Sequence, residues 1–115
     1  MEKETNKMLS QIEVGNVKEN DYGTLMTAAF EIISNALIIE KPIIAENGFV
    51  ILKWITKKDP SFYDEAKIWL SSLKEKFNDD IKLCFIDTLI KDLKSIDIGL
   101  PVFEKEVQDW INQSE

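Results

Sequence analysis

Residues 46–60 read "ENGFVILKWITKKDP", the densest apolar stretch in the chain. Taken alone, "FVILKWI" has the β-branched and aromatic composition of a strand, and Gly48 lowers helix propensity by about 1 kcal/mol relative to alanine. Strict alternation of apolar and polar residues is absent, however. Ile44, Gly48, Ile51 and Ile55 form one helical row, and Ile43, Val50 and Trp54 form a second beside it. A lone strand among helices would also have nothing to pair with. The stretch therefore predicts a helix over 42–57 that is apolar on most sides, hence central and buried. Pro42 opens it as a first-turn proline, and Gly48 admits a close neighbouring helix. A buried strand is the alternative.

The flanking sequence is helical as well. "EKETNKMLSQIEV" sets Met8, Leu9 and Ile12 on one side before Gly15 and Asn16 break the pattern. That predicts a marginal first helix within 1–15, frayed at its start. Asp21 is the expected N-cap of a helix over 21–40. Its stripe is Leu25, Ala28, Ala29, Ile32, Ile33 and Ala36, widened by Met26, Phe30 and Leu37, and Pro42 ends it. "DPSFYDEAKIWLSSLKEKF" predicts a helix over 61–77, with Ser61 as cap and Asp64 three residues on in a box-like arrangement. Phe62, Ala66, Trp69, Leu70, Leu73 and Phe77 are its core stripe. "DDIKLCFIDTLIKDLKSI" restarts at Asp79 or Asp80 and runs over 80–96, with Ile81, Cys84, Phe85, Leu89, Leu93 and Ile96 inward. Pro101 opens a last helix over 101–112, with Phe103, Val107, Trp110 and Ile111 inward.

Short connections make successive helices antiparallel neighbours. The expected fold is all-α, a single domain over 1–115. It holds five to six antiparallel helices in a compact bundle or a HEAT-like stack of helical hairpins. Helix starts near 22, 61 and 101 give a pair period of about 39 residues, close to the HEAT and armadillo range.

With 115 residues, 44% of them apolar and 30% charged, the chain has the size and composition of one soluble globular domain. One cysteine, Cys84, allows no intrachain disulfide, which fits a cytoplasmic protein. No apolar run approaches the roughly 20 residues of a membrane helix, and "MEKETNK" is no signal peptide. The net charge is −7, every basic residue is lysine, and histidine is absent. Direct nucleic-acid binding calls for a basic, arginine-bearing surface. Histidine-based catalysis has no histidine to use, and a zinc site would have one thiol and carboxylates alone. No EF-hand spacing and no glycine-rich phosphate loop is present. The expectation is a non-enzymatic protein with no cofactor and no metal.

Cys84 sits in an apolar row, so it reads first as a small core residue. Trp54, Trp69 and Trp110 fall on or beside core stripes. Trp54 is the candidate for a half-exposed binding anchor, because the middle helix has more apolar faces than two neighbours cover. The carboxylate pairs Asp64/Glu65, Asp79/Asp80 and Glu104/Glu106 read as helix-start acids. Asp87 and Asp92 lie mid-helix, where the dipole fades, and read as a presented acidic face. An acidic face attracts a basic partner and raises its association rate.

In its size, acidity and run of capped helices, "DPSFYDEAKIWLSSLKEKFNDDIKLCFIDTLIKDLKSI" resembles the all-helical immunity proteins of bacterial toxin systems, including those of contact-dependent growth inhibition. Residues 59 to 111 carry most of the likeness, which is one of character and transfers no family residue. It implies a protein that binds and neutralises a cognate basic toxin domain of the nuclease kind. Asp79, Asp80, Asp87, Asp92 and Trp54 would form the partner-binding site, and the protein would be a monomer or weak dimer. Two alternatives are a structural or adaptor subunit, using the exposed apolar share of the middle helix, and a phage-type inhibitor that mimics nucleic acid.

Overall fold

The computed structural model describes residues 21–95 and 99–114. The helix expected within 1–15, and Ile96 at the end of the fourth stripe, lie outside the described residues. Those residues form five α-helices and no strand: α1 (Tyr22–Ile38), α2 (Pro42–Lys58), α3 (Tyr63–Leu73), α4 (Asp80–Asp92) and α5 (Lys105–Gln113).

"ENGFVILKWITKKDP" is the body of α2, a helix with Pro42 in its first turn. It is the central helix. Phe49, Ile51, Leu52, Ile55 and even Lys53 are fully buried, and of its 17 residues Lys58 alone is exposed. Gly48 lies against α1. A Cβ there would stand 3.0 Å from side-chain atoms of Ile32 and Ile33 and 3.1 Å from the Ala29 carbonyl. The close approach expected at Gly48 is real.

Contacts along the helices set their directions. Tyr22 meets Trp54 and Ala29 meets Gly48, so α1 and α2 are antiparallel. Lys74 pairs with Asp87, and Tyr63 lies beneath Lys94, so α3 and α4 are antiparallel too. Phe30 packs on Trp69 and Ser34 meets Lys76, which sets α1 parallel to α3. Lys53 and Lys57 reach Asp92 and Ser95, which sets α2 parallel to α4. The result is an all-α bundle in which two hairpins lie like helix beside like helix. One apolar cluster joins all five helices. The chain's radius of gyration is 13.3 Å, close to the ~13 Å of a compact chain this long.

Several expected boundaries are corrected. Asp21 stands at the N-cap of α1, but in helical dihedrals and with no side-chain bond to a helix amide. The centre of the α1 stripe is Met26, Ala29, Ile33 and Leu37, with Leu25 and Ala28 half-buried. Asp59, not Ser61, caps the third helical segment: its carboxylate accepts from the Ser61 amide at 3.0 Å and from Ser61 Oγ at 2.6 Å. The cause is Pro60, which forces the residue before it out of the helical region, and Asp59 duly has φ −136° and ψ 94°. This segment is also not one regular helix. Tight 3-10 turns at Pro60–Phe62 and Lys74–Lys76 flank α3, and Phe77 is extended. α4 ends at Asp92, short of 96, where Lys57 Nζ donates to the Ser95 carbonyl. Pro101 does not open α5; the helix begins at Lys105 behind an extended Glu104. Phe103 is inward as expected, but it sits before the helix. It stacks flat on Phe85 at 5.0 Å while Trp110 meets Phe85 edge-on at 5.8 Å. Burying that ring competes with helix formation at 101–104 and wins.

Candidate functional site

The two hairpins define two ends of the bundle. One end holds the α1–α2 turn, the close of α3 and the start of α4. The other holds the start of α1, the close of α2 and the close of α4. The residues expected to bind a partner divide between them.

Asp79 and Asp80 lie at the first end, both exposed. Asp79 is extended and caps α4, its carboxylate accepting from the Ile81 amide at 2.8 Å. Asp80 follows in the first turn, where the helix dipole stabilises its charge. Asp87 stands part-way along α4 and pairs with Lys74 at 2.7 Å, both side chains over two-fifths exposed. A pair so open to solvent contributes at most about 1 kcal/mol.

Asp92 is not a presented acid. Its carboxylate turns inward to Lys53 Nζ at 2.7 Å, and the Lys53 side chain is 1% exposed. The same ammonium donates to the Gly99 carbonyl at 3.2 Å. A buried lysine needs a counter-charge, and tertiary packing makes Asp92 that charge. Trp54 is half-buried against the core, edge-on to Tyr22 at 5.7 Å, with Lys58 over its ring at 5.6 Å. Asp80 and Asp92 are separated by about 18 Å of helix, as are Pro42 and Trp54. Trp54 and Asp92 thus share the far end, and the five residues do not make one surface. No apolar side chain of α2 is fully exposed; Ile43, Ile44, Val50 and Trp54 are part-exposed.

The first end carries residues that the sequence reading passed over. Ile38 is 56% exposed and Ile39 is 51% exposed. Both fall at the close of α1, on a helix whose outward row, Thr27, Glu31, Asn35 and Ile38, is otherwise polar. That break in the polar row was the available signal. Glu40 follows with φ 60°, the one non-glycine residue with positive φ among those described. The Lys41 amide donates to the Ala36 carbonyl at 2.8 Å and the Glu40 amide to the Leu37 carbonyl at 3.4 Å. This is the paired closure that normally places glycine in the left-handed position. Here the left-handed residue uses its side chain: Glu40 Oε1 meets Lys82 Nζ at 2.6 Å. Lys82 is buried and lies over the Phe77 ring at 5.2 Å. Glu40 therefore ties the α1–α2 turn to the start of α4.

A test separates backbone strain from charge at this residue. Glu40→Gly and Glu40→Ala both delete the bridge, but alanine alone keeps a Cβ in the left-handed region, at a cost of about 1 kcal/mol. Urea unfolding is expected to find the glycine variant the more stable by about that amount, reversing the usual alanine-over-glycine order in helices. Equal midpoints would remove the strain argument.

Elsewhere the surface is shallow. One groove, about 630 Å³, is bounded by Asp64, Lys67, Ile68, Ser71, Ser72 and Glu75, which all lie on one outward face of α3 and its last turn. No three thiol or carboxylate groups converge as metal donors among the described residues. Cys84 is half-buried, and burial first, then Glu104 and Asp87, push its thiol above the ordinary value; a hydrogen bond from Thr88 opposes them. A thiol shifted that way stays protonated at neutral pH and is a poor nucleophile. No described helix is long and apolar enough to cross a membrane. Compared with family models, with curated proteins and with solved structures, the chain matches none.

Proposed function

We propose that this chain binds a basic protein domain and neutralises it, as an immunity protein does for the cell that makes a toxin. A nuclease is the partner class that fits best, because a polyanionic substrate demands a basic surface. The observation that carries the reading is the distribution of charge. The net charge is −7. Lys53 and Lys82 are drawn into the protein, while Glu31, Asp64, Glu65, Asp79, Asp80 and Glu106 all stand exposed. Such a surface steers a basic partner into encounter, with rates raised by about one to three orders of magnitude at low salt. It also competes for the lysines and arginines that would hold a phosphate backbone.

The experiment is co-expression. The open reading frame adjacent to this gene is expressed in bacteria with and without this chain. The expected result is growth arrest from the neighbour alone and normal growth when both are present. The purified pair should associate at least about tenfold more slowly at 0.5 M than at 0.05 M salt. A neighbour that is harmless alone, or toxic in both cases, would overturn the reading.

A further inference from the structure

We infer that the partner meets the end of the bundle built by the α1–α2 turn and the start of α4. There Ile38 and Ile39 precede Glu40, whose bridge to Lys82 joins the turn to the helix start that carries Asp79 and Asp80, and the occupant is a folded protein surface that sets lysine or arginine around an apolar patch. This deepens the proposed function and rests on it for the partner's basic character.

Three independent observations meet at this end. The first is apolar exposure: Ile38 and Ile39 are adjacent, and each is more than half exposed. Single exposed aliphatic residues are ordinary, whereas neighbouring ones rimmed by polar groups mark interaction surfaces. The second is backbone strain. Glu40 occupies a left-handed position that glycine would fill more cheaply, and strain held by a functional-group side chain is concentrated at recognition sites. The third is charge. Glu40 and Lys82 pair and cancel here, which leaves exposed Glu75, Asp79 and Asp80 against exposed Lys41 and Lys76, the last reaching Ser34 at 3.5 Å. No ion pair engages Asp79 or Asp80 among the described residues. What a partner meets is an aliphatic pair with carboxylates in excess around it, complementary to apolar side chains ringed by cations.

The other exposed aliphatic residues lack this combination. Ile68 is 67% exposed and lines a groove with Asp64, Lys67 and Glu75, but it is a single aliphatic residue on a regular helix with no strained backbone. Leu100 and Val102 are exposed near three lysines, Lys91, Lys94 and Lys105, and two glutamates, Glu104 and Glu106, a setting with no excess of carboxylates.

Two measurements test the assignment. In the first, the full chain labelled with nitrogen-15 is titrated with a short amphipathic peptide of lysine and leucine. Amide shifts are expected to gather at 38–41 and 79–82. Shifts centred on the α3 face, on the Trp54 end, or spread evenly would overturn the inference whatever the natural partner is. In the second, Ile39→Ser and Asp80→Lys are compared with Ile68→Ser for binding to the product of the adjacent gene. Both substitutions lie at exposed positions outside the Asp79 cap, so the fold is retained, and a urea midpoint checks it. Each is expected to weaken binding by about tenfold or more, with Ile68→Ser within about twofold of the parent chain. If the parent chain binds and all three variants bind equally, the inference falls and the proposed function stands. If the parent chain does not bind, the proposed function falls, and the peptide titration alone decides the face.

Discussion

Replacing Asp92 by alanine is expected to destabilise the fold by about 3 kcal/mol, near the lower bound for breaking a buried ion pair because Asp92 retains 16% exposure. The cost comes less from the lost attraction than from what is left behind. Lys53 Nζ would keep the Gly99 carbonyl at 3.2 Å as its one partner and no counter-charge, in a side chain that is 1% exposed. The opposite deletion is milder. Lys53→Met keeps the volume of the buried stem, and Asp92 can turn toward water, so about 1–2 kcal/mol is expected. Lys53→Met with Asp92→Leu should be more stable than Asp92→Ala alone, since an apolar pair leaves no stranded charge. Urea unfolding of the four proteins measures this. An Asp92→Ala cost under about 0.5 kcal/mol would mean that Lys53 is not held by this carboxylate. The pair also sets the chain's course. With Lys57 on the Ser95 carbonyl, it fastens the end of α4 and the following connection to α2.

Phe49→Ala carries the other large effect, about 3–5 kcal/mol. The ring is fully buried in the middle of α2, within the cluster shared by all five helices. Its neighbour Gly48 is in contact with α1 through Ile32, Ile33 and Ala29, so α2 has little freedom to shift and close the cavity. The expected cost is therefore that of a site which cannot collapse. Calorimetry or urea unfolding should show it as a lowered midpoint with an unchanged denaturant slope. A loss within about 0.5 kcal/mol would place residue 49 at a surface and bring back a solvent-facing or partner-facing reading of the stretch.

Neither effect could be assigned from residue types alone. Phe49 belonged to neither row read from the sequence and was covered only by the reading of 42–57 as a helix apolar on most sides. Asp92 was not legible: a carboxylate mid-helix normally faces solvent, and nothing local in "IKDLKS" indicates that a lysine 39 positions earlier is buried opposite it. Trp54 was read as a half-exposed anchor, and it is half-buried in the structure. The other helices bury most of α2 and leave a part-exposed face along Ile43, Asn47, Val50 and Trp54. Asp79 and Asp80 were found correctly as helix-start acids. Their place at the same end of the bundle as Ile38 and Ile39 depends on how the first hairpin lies on the second. The cap at Asp59 was missed for a local reason that the sequence did contain, the restriction that Pro60 places on the residue before it.

What the sequence by itself determined was the helical class, the central place of "ENGFVILKWITKKDP", the close approach at Gly48 and the exclusion of histidine chemistry. Each rests on periodicity, composition or a single residue's conformational range, properties that travel with the chain. What the tertiary structure alone decided was which charges are spent inside and which are left to meet a partner. It buried Lys53 on Asp92 and Lys82 on Glu40, and set Trp54 and Asp79 at opposite ends of the bundle. The reason is physical: a charge takes its role from the dielectric and the counter-charge around it, and both are assembled from residues far apart in the chain.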